Sequence, residues 1–329
     1  MVINPASGKD IRRIVAYGSL FGNQDKINLV IRIIRGLDSV LHRPLTVVYM
    51  PDPYYLGQSI EEILRGKLEH VSLSSLDMPL WGDETDTINF TDLAVQQGVE
   101  ALVVVGGDGT NRAVAKKSGE VPIFPVAGGT NNTFAWEIEP TLVGMALGFF
   151  LEKAVDPQAI LEKRKVLRIR RSFPSPPISE LALADVVLVK TDALGSRAVW
   201  EPELVELVVV TQSDPLKIGL SSLVGRVVTI DWREPRGAWL KTGSGGKLVA
   251  APLAPGLVKT FSLQQFGFLE VGSSITLSGQ EGVLALDGER EIRVRKKDSW
   301  EIKLEFTGPI RANIEKIMNL VQERSVLNG

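Results

Sequence analysis

Ala101-Leu102-Val103-Val104-Val105 runs without a polar break into Gly106-Gly107-Asp108-Gly109-Thr110, and a helical pattern follows over residues 111–117. A short apolar run bounded by turn residues and followed by a helix reads as a strand buried on both faces, which needs covering helices above and below. The chain is therefore expected to build a mostly parallel sheet around this segment. Residues 45–50 and 121–126 supply two more strands. Ile27, Val30, Ile31, Ile34, Leu37 and Leu41 recur at three- and four-residue spacing and predict a helix over 23–41. Asp92, Leu93, Val95 and Gln96 predict another, ending at Gly98. This alternation describes a doubly wound, Rossmann-like α/β domain over residues 1–162.

After residue 163 the pattern changes to β-branched runs separated by Gly and Pro. Strands are expected at 166–171, 181–190, 204–211, 226–232, 275–278, 282–286, 292–296 and 300–306, which together predict a β-sandwich domain over 163–308. Pro309 at a helix start, with Ile310, Ile314, Ile317, Met318 and Val321 after it, predicts a C-terminal helix over 309–329 that packs back on the N-terminal domain. Residues 172–179, with three prolines, read as a flexible connection.

Composition removes several chemistries. The formal net charge is -2, from 37 basic and 39 acidic side chains, so the whole chain has no electrostatic attraction for nucleic acid or an anionic membrane. Absence of cysteine excludes disulfides, thiolate metal sites and a Cys nucleophile. His42 and His70 lack metal-ligand spacing, and the six tryptophans form no stacking platform. Residues 142–151, the longest strongly apolar stretch, fall short of the roughly 20 residues of a membrane-spanning helix, and no basic-then-apolar leader precedes the first motif. A soluble cytoplasmic protein is the expectation.

The turn at Gly106–Thr110 carries the first chemistry. Glycines at the carboxyl end of a buried strand, with a helix beginning behind them, aim main-chain N–H groups at an anion. Asp108 adds a carboxylate that suits a magnesium ion or a hydroxyl proton; the plainer alternative is that it only caps the helix. Two commoner motifs fail: Gly8-Lys9 is followed by Asp10 and has no glycine five residues before it, and Arg112 stands where the dinucleotide fingerprint needs its third glycine. Asp287-Gly288 reads as a hairpin turn. Lys163, Arg164, Lys165, Arg168, Arg170 and Arg171 partly alternate with apolar residues and read as a solvated strand face. Arg197, between small residues, is a candidate phosphate or carboxylate ligand.

Four segments taken in order carry a family resemblance: Asn4-Pro5-Ala6-Ser7-Gly8-Lys9-Asp10, Gly106-Gly107-Asp108-Gly109-Thr110, Gly128-Gly129-Thr130-Asn131-Asn132-Thr133-Phe134-Ala135 and Leu286-Asp287-Gly288-Glu289. They resemble the ordered motifs of the NAD kinase and diacylglycerol kinase superfamily. Within it they are most similar to the ATP-NAD kinase-like branch that includes acetoin-catabolism protein X. The resemblance implies an α/β domain followed by a β-sandwich domain, with nucleotides bound between them, and phosphoryl transfer from ATP with magnesium to a hydroxyl, NAD being the first candidate acceptor. By the same resemblance Asp108 orients or deprotonates that hydroxyl. Asn4, Pro5, Ser7, Gly8, Lys9, Gly106, Gly107, Gly109, Thr110, Gly128, Gly129, Thr130, Asn131 and Asn132 would hold nucleotide and phosphate. Asp185, Arg197, Ser221, Ser222 and Asp287 would lie on the acceptor side, with Asp108 and Asp287 near the metal.

The departures also fall on the acceptor side. Ala184-Asp185 stands where NAD kinases carry Asn-Glu, and Gly219-Leu220-Ser221-Ser222-Leu223-Val224-Gly225 replaces their Thr-Pro-Thr-Gly-Ser-Thr-Ala-Tyr segment. These changes admit two further expectations, a non-catalytic nucleotide-binding accessory protein of acetoin catabolism or a lipid kinase-like enzyme that would meet a membrane. Small-molecule nucleotides are the expected partners, and the resemblance leans toward a homo-oligomer. A central parallel strand takes about five or six residues, yet only Met1-Val2-Ile3 precede Asn4. Either the first strand is short or part of it lies upstream of Met1.

Overall fold

The computed structural model describes residues 1–7, 21–128, 132–135, 137–172, 175–191, 201–288 and 290–327. The chain divides into two units. One takes the N-terminal strand with Phe21–Lys163 and Pro309–Gly329; the other takes Arg164–Gly308. Among the described residues no helix is long and apolar enough to cross a membrane.

In the first unit the strands are β1 (Val2–Ile3), β2 (Leu45–Tyr49), β3 (Val71–Ser75), β4 (Leu102–Gly106), β5 (Ile123–Ala127) and β6 (Leu161–Lys163). Helices Asn23–Asp38, Leu56–Leu64, Glu84–Gln96, Asp108–Ala115 and Pro140–Leu151 come between them. β4 is buried at all five positions, as its continuous apolar run requires. β1, β4 and β5 are parallel neighbours. The β2–β3 pair joins them through Met1, whose carbonyl accepts the Met50 amide at 3.0 Å and whose amine donates to the Val48 carbonyl. Ile27, Val30, Ile34 and Leu37 of the first described helix reach one apolar core with Phe124, Val126, Val143 and Leu147.

The second unit is built from antiparallel strands. Its strands are β7 (Val166–Ser172), β8 (Ile178–Ala182), β9 (Asp185–Val189), β10 (Val205–Val210), β11 (Arg236–Ala254), β12 (Leu257–Glu270), β13 (Ser274–Ser278), β14 (Gly282–Leu286), β15 (Arg290–Val294) and β16 (Ser299–Glu305). They form a six-stranded sheet, β12-β11-β10-β9-β14-β15, and a four-stranded sheet, β13-β16-β7-β8. Leu167 and Ile169 of β7, Val186 and Leu188 of β9, and Trp300 and Ile302 of β16 share one core, so the sheets face each other as a sandwich.

Several expected boundaries move. The expected strand 181–190 is two strands interrupted at Leu183 and Ala184, because their amides turn to the Asp287 carboxylate. Residues 226–232 are not a strand: a helical turn at Ser222–Gly225 precedes them, and only Ile230 pairs, with Ser213. Pro309 does not open a helix. Ile310–Ala312 forms β17, parallel to β5 and antiparallel to β6, and the C-terminal helix runs Ile314–Leu327. The helix expected over 23–41 ends at Asp38, with Ser39 as its cap. The described part of the proline-containing stretch lies between the end of β7 and the start of β8, and Arg171 donates to the Pro176 carbonyl there.

The basic run is also corrected near its start. Arg164 and Lys165 are buried: the Arg164 guanidinium bonds Gln212 and lies 4.5 Å from the Trp232 ring, and Lys165 Nζ donates to the carbonyls of Arg236 and Asp231. Burial, aided by the neighbouring Arg164 charge, pushes the Lys165 ammonium down to about 8.

Candidate functional site

Three segments meet at the carboxyl ends of β1, β4 and β5. Asn4 continues the ladder of β1, its amide donating to the Val105 carbonyl at 3.1 Å. Its side chain then fixes the turn in two directions: Nδ2 donates to Thr110 Oγ1 at 2.8 Å, and Oδ1 accepts the Ala6 amide at 2.9 Å. Ser7 Oγ donates to the Asn4 carbonyl at 3.0 Å. Asparagine suits this work, since one amide side chain supplies both a donor and an acceptor.

β4 ends at Gly106, and Gly107 caps a helix that begins at Asp108, three residues earlier than expected. The earlier start puts Asp108 in the first turn, where the helix dipole favours a negative charge. A Cβ on Gly106 would stand 2.6 Å from the Thr110 side chain, a separation no real Cβ tolerates. Gly128 donates its amide to the Gly106 carbonyl at 3.1 Å, and a Cβ there would lie 3.1 Å from the Gly106 nitrogen and 3.4 Å from Ser7 Oγ. Bare main chain is thus what lets the three segments touch.

Asp108 is buried, and its carboxylate accepts the amides of Thr133 at 2.9 Å and Phe134 at 2.9 Å. It therefore ties the Gly106–Thr110 turn to the segment that follows Asn132, itself buried. The other side of that segment is held as well. Arg311 of β17 donates to the Phe134 carbonyl at 3.0 Å and pairs with Glu162 at 3.0 Å, and Asn313 donates to the second Glu162 oxygen at 2.6 Å. Lys26, fully buried on the helix after Gly22, donates to the Pro5 carbonyl at 2.8 Å.

Of the residues expected to hold nucleotide and phosphate, Asn4, Pro5, Ser7, Gly106, Gly107, Gly109, Thr110, Gly128 and Asn132 fall in this unit, together with the catalytic candidate Asp108. Gly8, Lys9, Gly129, Thr130 and Asn131 lie outside the described residues, as does Arg197. Lys26, Glu162 and Arg311 were not singled out by sequence. Lys26 left a trace, since it shares the face of Val30, Ile33 and Leu37 at spacings of four, three and four.

The expected acceptor-side residues belong to the second unit. Asp287 occupies the turn between β14 and β15 with φ 50°, and its carboxylate accepts the amides of Leu183, Ala184 and Asp185 at 3.0, 2.8 and 3.2 Å. Asp185 opens β9. Ser222 is buried, its hydroxyl donating to the carbonyls of Gly219 and Pro252 and holding that turn, while Ser221 is half-buried beside it. Among the described residues no group of three or more His, Asp or Glu side chains could hold a metal ion, and Asp108 and Asp287 belong to different units.

Comparison with known proteins agrees with this architecture. Residues 19–153 match the ATP-NAD kinase N-terminal domain, and residues 165–307 match the acetoin catabolism protein X C-terminal domain. The chain is 32% identical to acetoin catabolism protein X of Cupriavidus necator over 313 residues, covering 92% of this chain and 86% of that protein. Yeast NADH kinase complexed with NADH superposes with a TM-score of 0.53 at 14% identity, over 90% of this chain and 82% of that one, so the fold is kinase-like. By this identity and coverage the chain belongs to the acetoin catabolism protein X family.

Proposed function

We propose that this protein is an ATP-dependent phosphotransferase that phosphorylates a hydroxyl, with NAD as the first candidate acceptor. The observation that supports it most is the contact of the Asn4–Ser7, Gly106–Thr110 and Gly128 segments, packed too closely for a Cβ at Gly106. Main-chain amides and a helix N-terminus gathered at the ends of parallel strands suit a nucleotide phosphate. Asp108 orients the hydroxyl in this reading. A carboxylate held by two amides has a fixed direction for a further hydrogen bond, and phosphoryl transfer depends on positioning and charge neutralisation. Among the described residues no cluster of carboxylates could hold a magnesium ion alone, so the ion would come in with the nucleotide phosphates, with Asp108 beside it.

A coupled assay with NAD, ATP and magnesium tests the reading. NADP should form, and Asp108→Asn should remove turnover; no product with NAD or other hydroxyl acceptors, from protein shown to be folded, overturns it. The engagement of Asp108 and Asp287 with main-chain amides favours one alternative, an accessory protein of acetoin catabolism that binds nucleotide without turning it over. Calorimetric titration distinguishes the two: ATP or NAD(H) binding without product over hours selects the accessory role.

A further inference from the structure

The peptide unit joining Pro5 to Ala6 is held at both of its polar atoms. Its carbonyl accepts Lys26 Nζ at 2.8 Å, and its N–H donates to Asn4 Oδ1 at 2.9 Å. Ala6 is exposed, whereas Ser7 and Lys26 are buried. The turn thus offers one side to solvent and keeps an ammonium group against the other.

The fold alone does not ask for a lysine there. Position 26 shares a helix face with Val30, Ile33 and Leu37, which pack in the apolar core, and taking an ammonium group out of water is costly. Lys26 also stands in the first turn of the helix Asn23–Asp38, the end at which the dipole opposes a positive charge. Asp25, whose carboxylate accepts the Gly22 amide at 2.8 Å, is the kind of residue that end favours. An apolar side chain at 26 would avoid both penalties. What lysine adds is a donor that reaches the Pro5 carbonyl and a positive charge that burial protects from salt, both beside a turn at the carboxyl ends of β1 and β4. A polyphosphate gains from each, because its oxygens need a fixed frame and its charge needs an opposite one.

We propose that Lys26 is a positioning residue of the phosphate site: through the Pro5 carbonyl it locks the Asn4–Ser7 turn, and it supplies that turn with the positive charge a polyphosphate requires. The assignment rests on the phosphate site proposed above and extends it to a side chain on a covering helix.

Calorimetric titration with inorganic tripolyphosphate tests it, since that ligand carries the charge without base or ribose. Lys26→Met fills a similar space with no charge to bury, so it should fold and melt within about 5 °C of the parent. Its tripolyphosphate affinity should fall at least about tenfold, the worth of one charge-assisted hydrogen bond. Lys26→Gln keeps an N–H donor without the charge and should not restore binding. In the NAD assay both variants should raise the KM for ATP by the same factor and leave kcat within about threefold. A folded variant that binds tripolyphosphate as the parent does overturns the assignment, and so does loss of the folded state in both variants, which would make Lys26 structural. If the parent itself does not bind tripolyphosphate, the phosphate site fails and Lys26 with it; if the parent binds and the folded variants bind equally, Lys26 alone fails.

Discussion

Asp108, in the first turn of a helix, and Asp287, in a hairpin turn, each hold main-chain amides of a segment distant in sequence: Thr133 and Phe134 for the first, Leu183 to Asp185 for the second. Their surroundings differ. Leu183 and Ala184 are buried, and the Asp287 bonds interrupt a strand so that β8 and β9 can enter different sheets. Around Asp108 the chain removes side chains, at Gly106 and Gly128, where removal brings loops into contact. An aspartate that gathers amides is therefore no functional mark by itself, since Asp38 and Asp86 do the same elsewhere. The bared backbone beside it carries the distinction.

The comparison breaks most readily at the far end of the Asp108 network. Arg311→Met leaves Glu162 without its guanidinium in a buried setting and should cost about 3–5 kcal/mol, read from urea unfolding, with exchange at Phe134 accelerated. Asp108→Asn should lower turnover by at least about 100-fold, or about 2.7 kcal/mol at roughly 1.4 kcal/mol per decade, and loosen the Thr133–Phe134 segment in the same exchange experiment. Asp287→Asn keeps a side chain that tolerates positive φ, so it should cost only about 1–3 kcal/mol for the weakened amide bonds and leave ATP affinity within about threefold. Equal losses of ATP affinity from the Asp108 and Asp287 variants would erase the distinction between the two regions.

The smallest effect sharpens the second region alone. Lys165 titrates near 8 when folded and near 10.4 when unfolded. The unfolded chain thus binds this proton more tightly, so a constant cost below pH 8 is relieved as pH rises toward 10.4. Stability of the second unit should climb across that window in urea titrations, and Lys165→Met should flatten the climb.

The class of each unit was legible in the sequence because burial on both faces and turn spacing leave local patterns. β4 and the Gly106–Thr110 turn are contiguous and could be read directly. The long hairpin β11–β12 could not, since Gly243 to Gly246 and Pro252 interrupt its alternation. β17 was mistaken for helix because Pro309 and the apolar spacing fit both, and only its place between β5 and β6 decides. The Arg311–Phe134 bond spans 177 positions, a separation at which no spacing rule operates.

β17 also has a consequence for synthesis. The first sheet takes one of its inner strands from residues 310–312, so a ribosome must add that late segment before the sheet can close. Until then the nascent N-terminal portion exposes an unfinished strand edge, a stage at which chaperones or aggregation compete with folding.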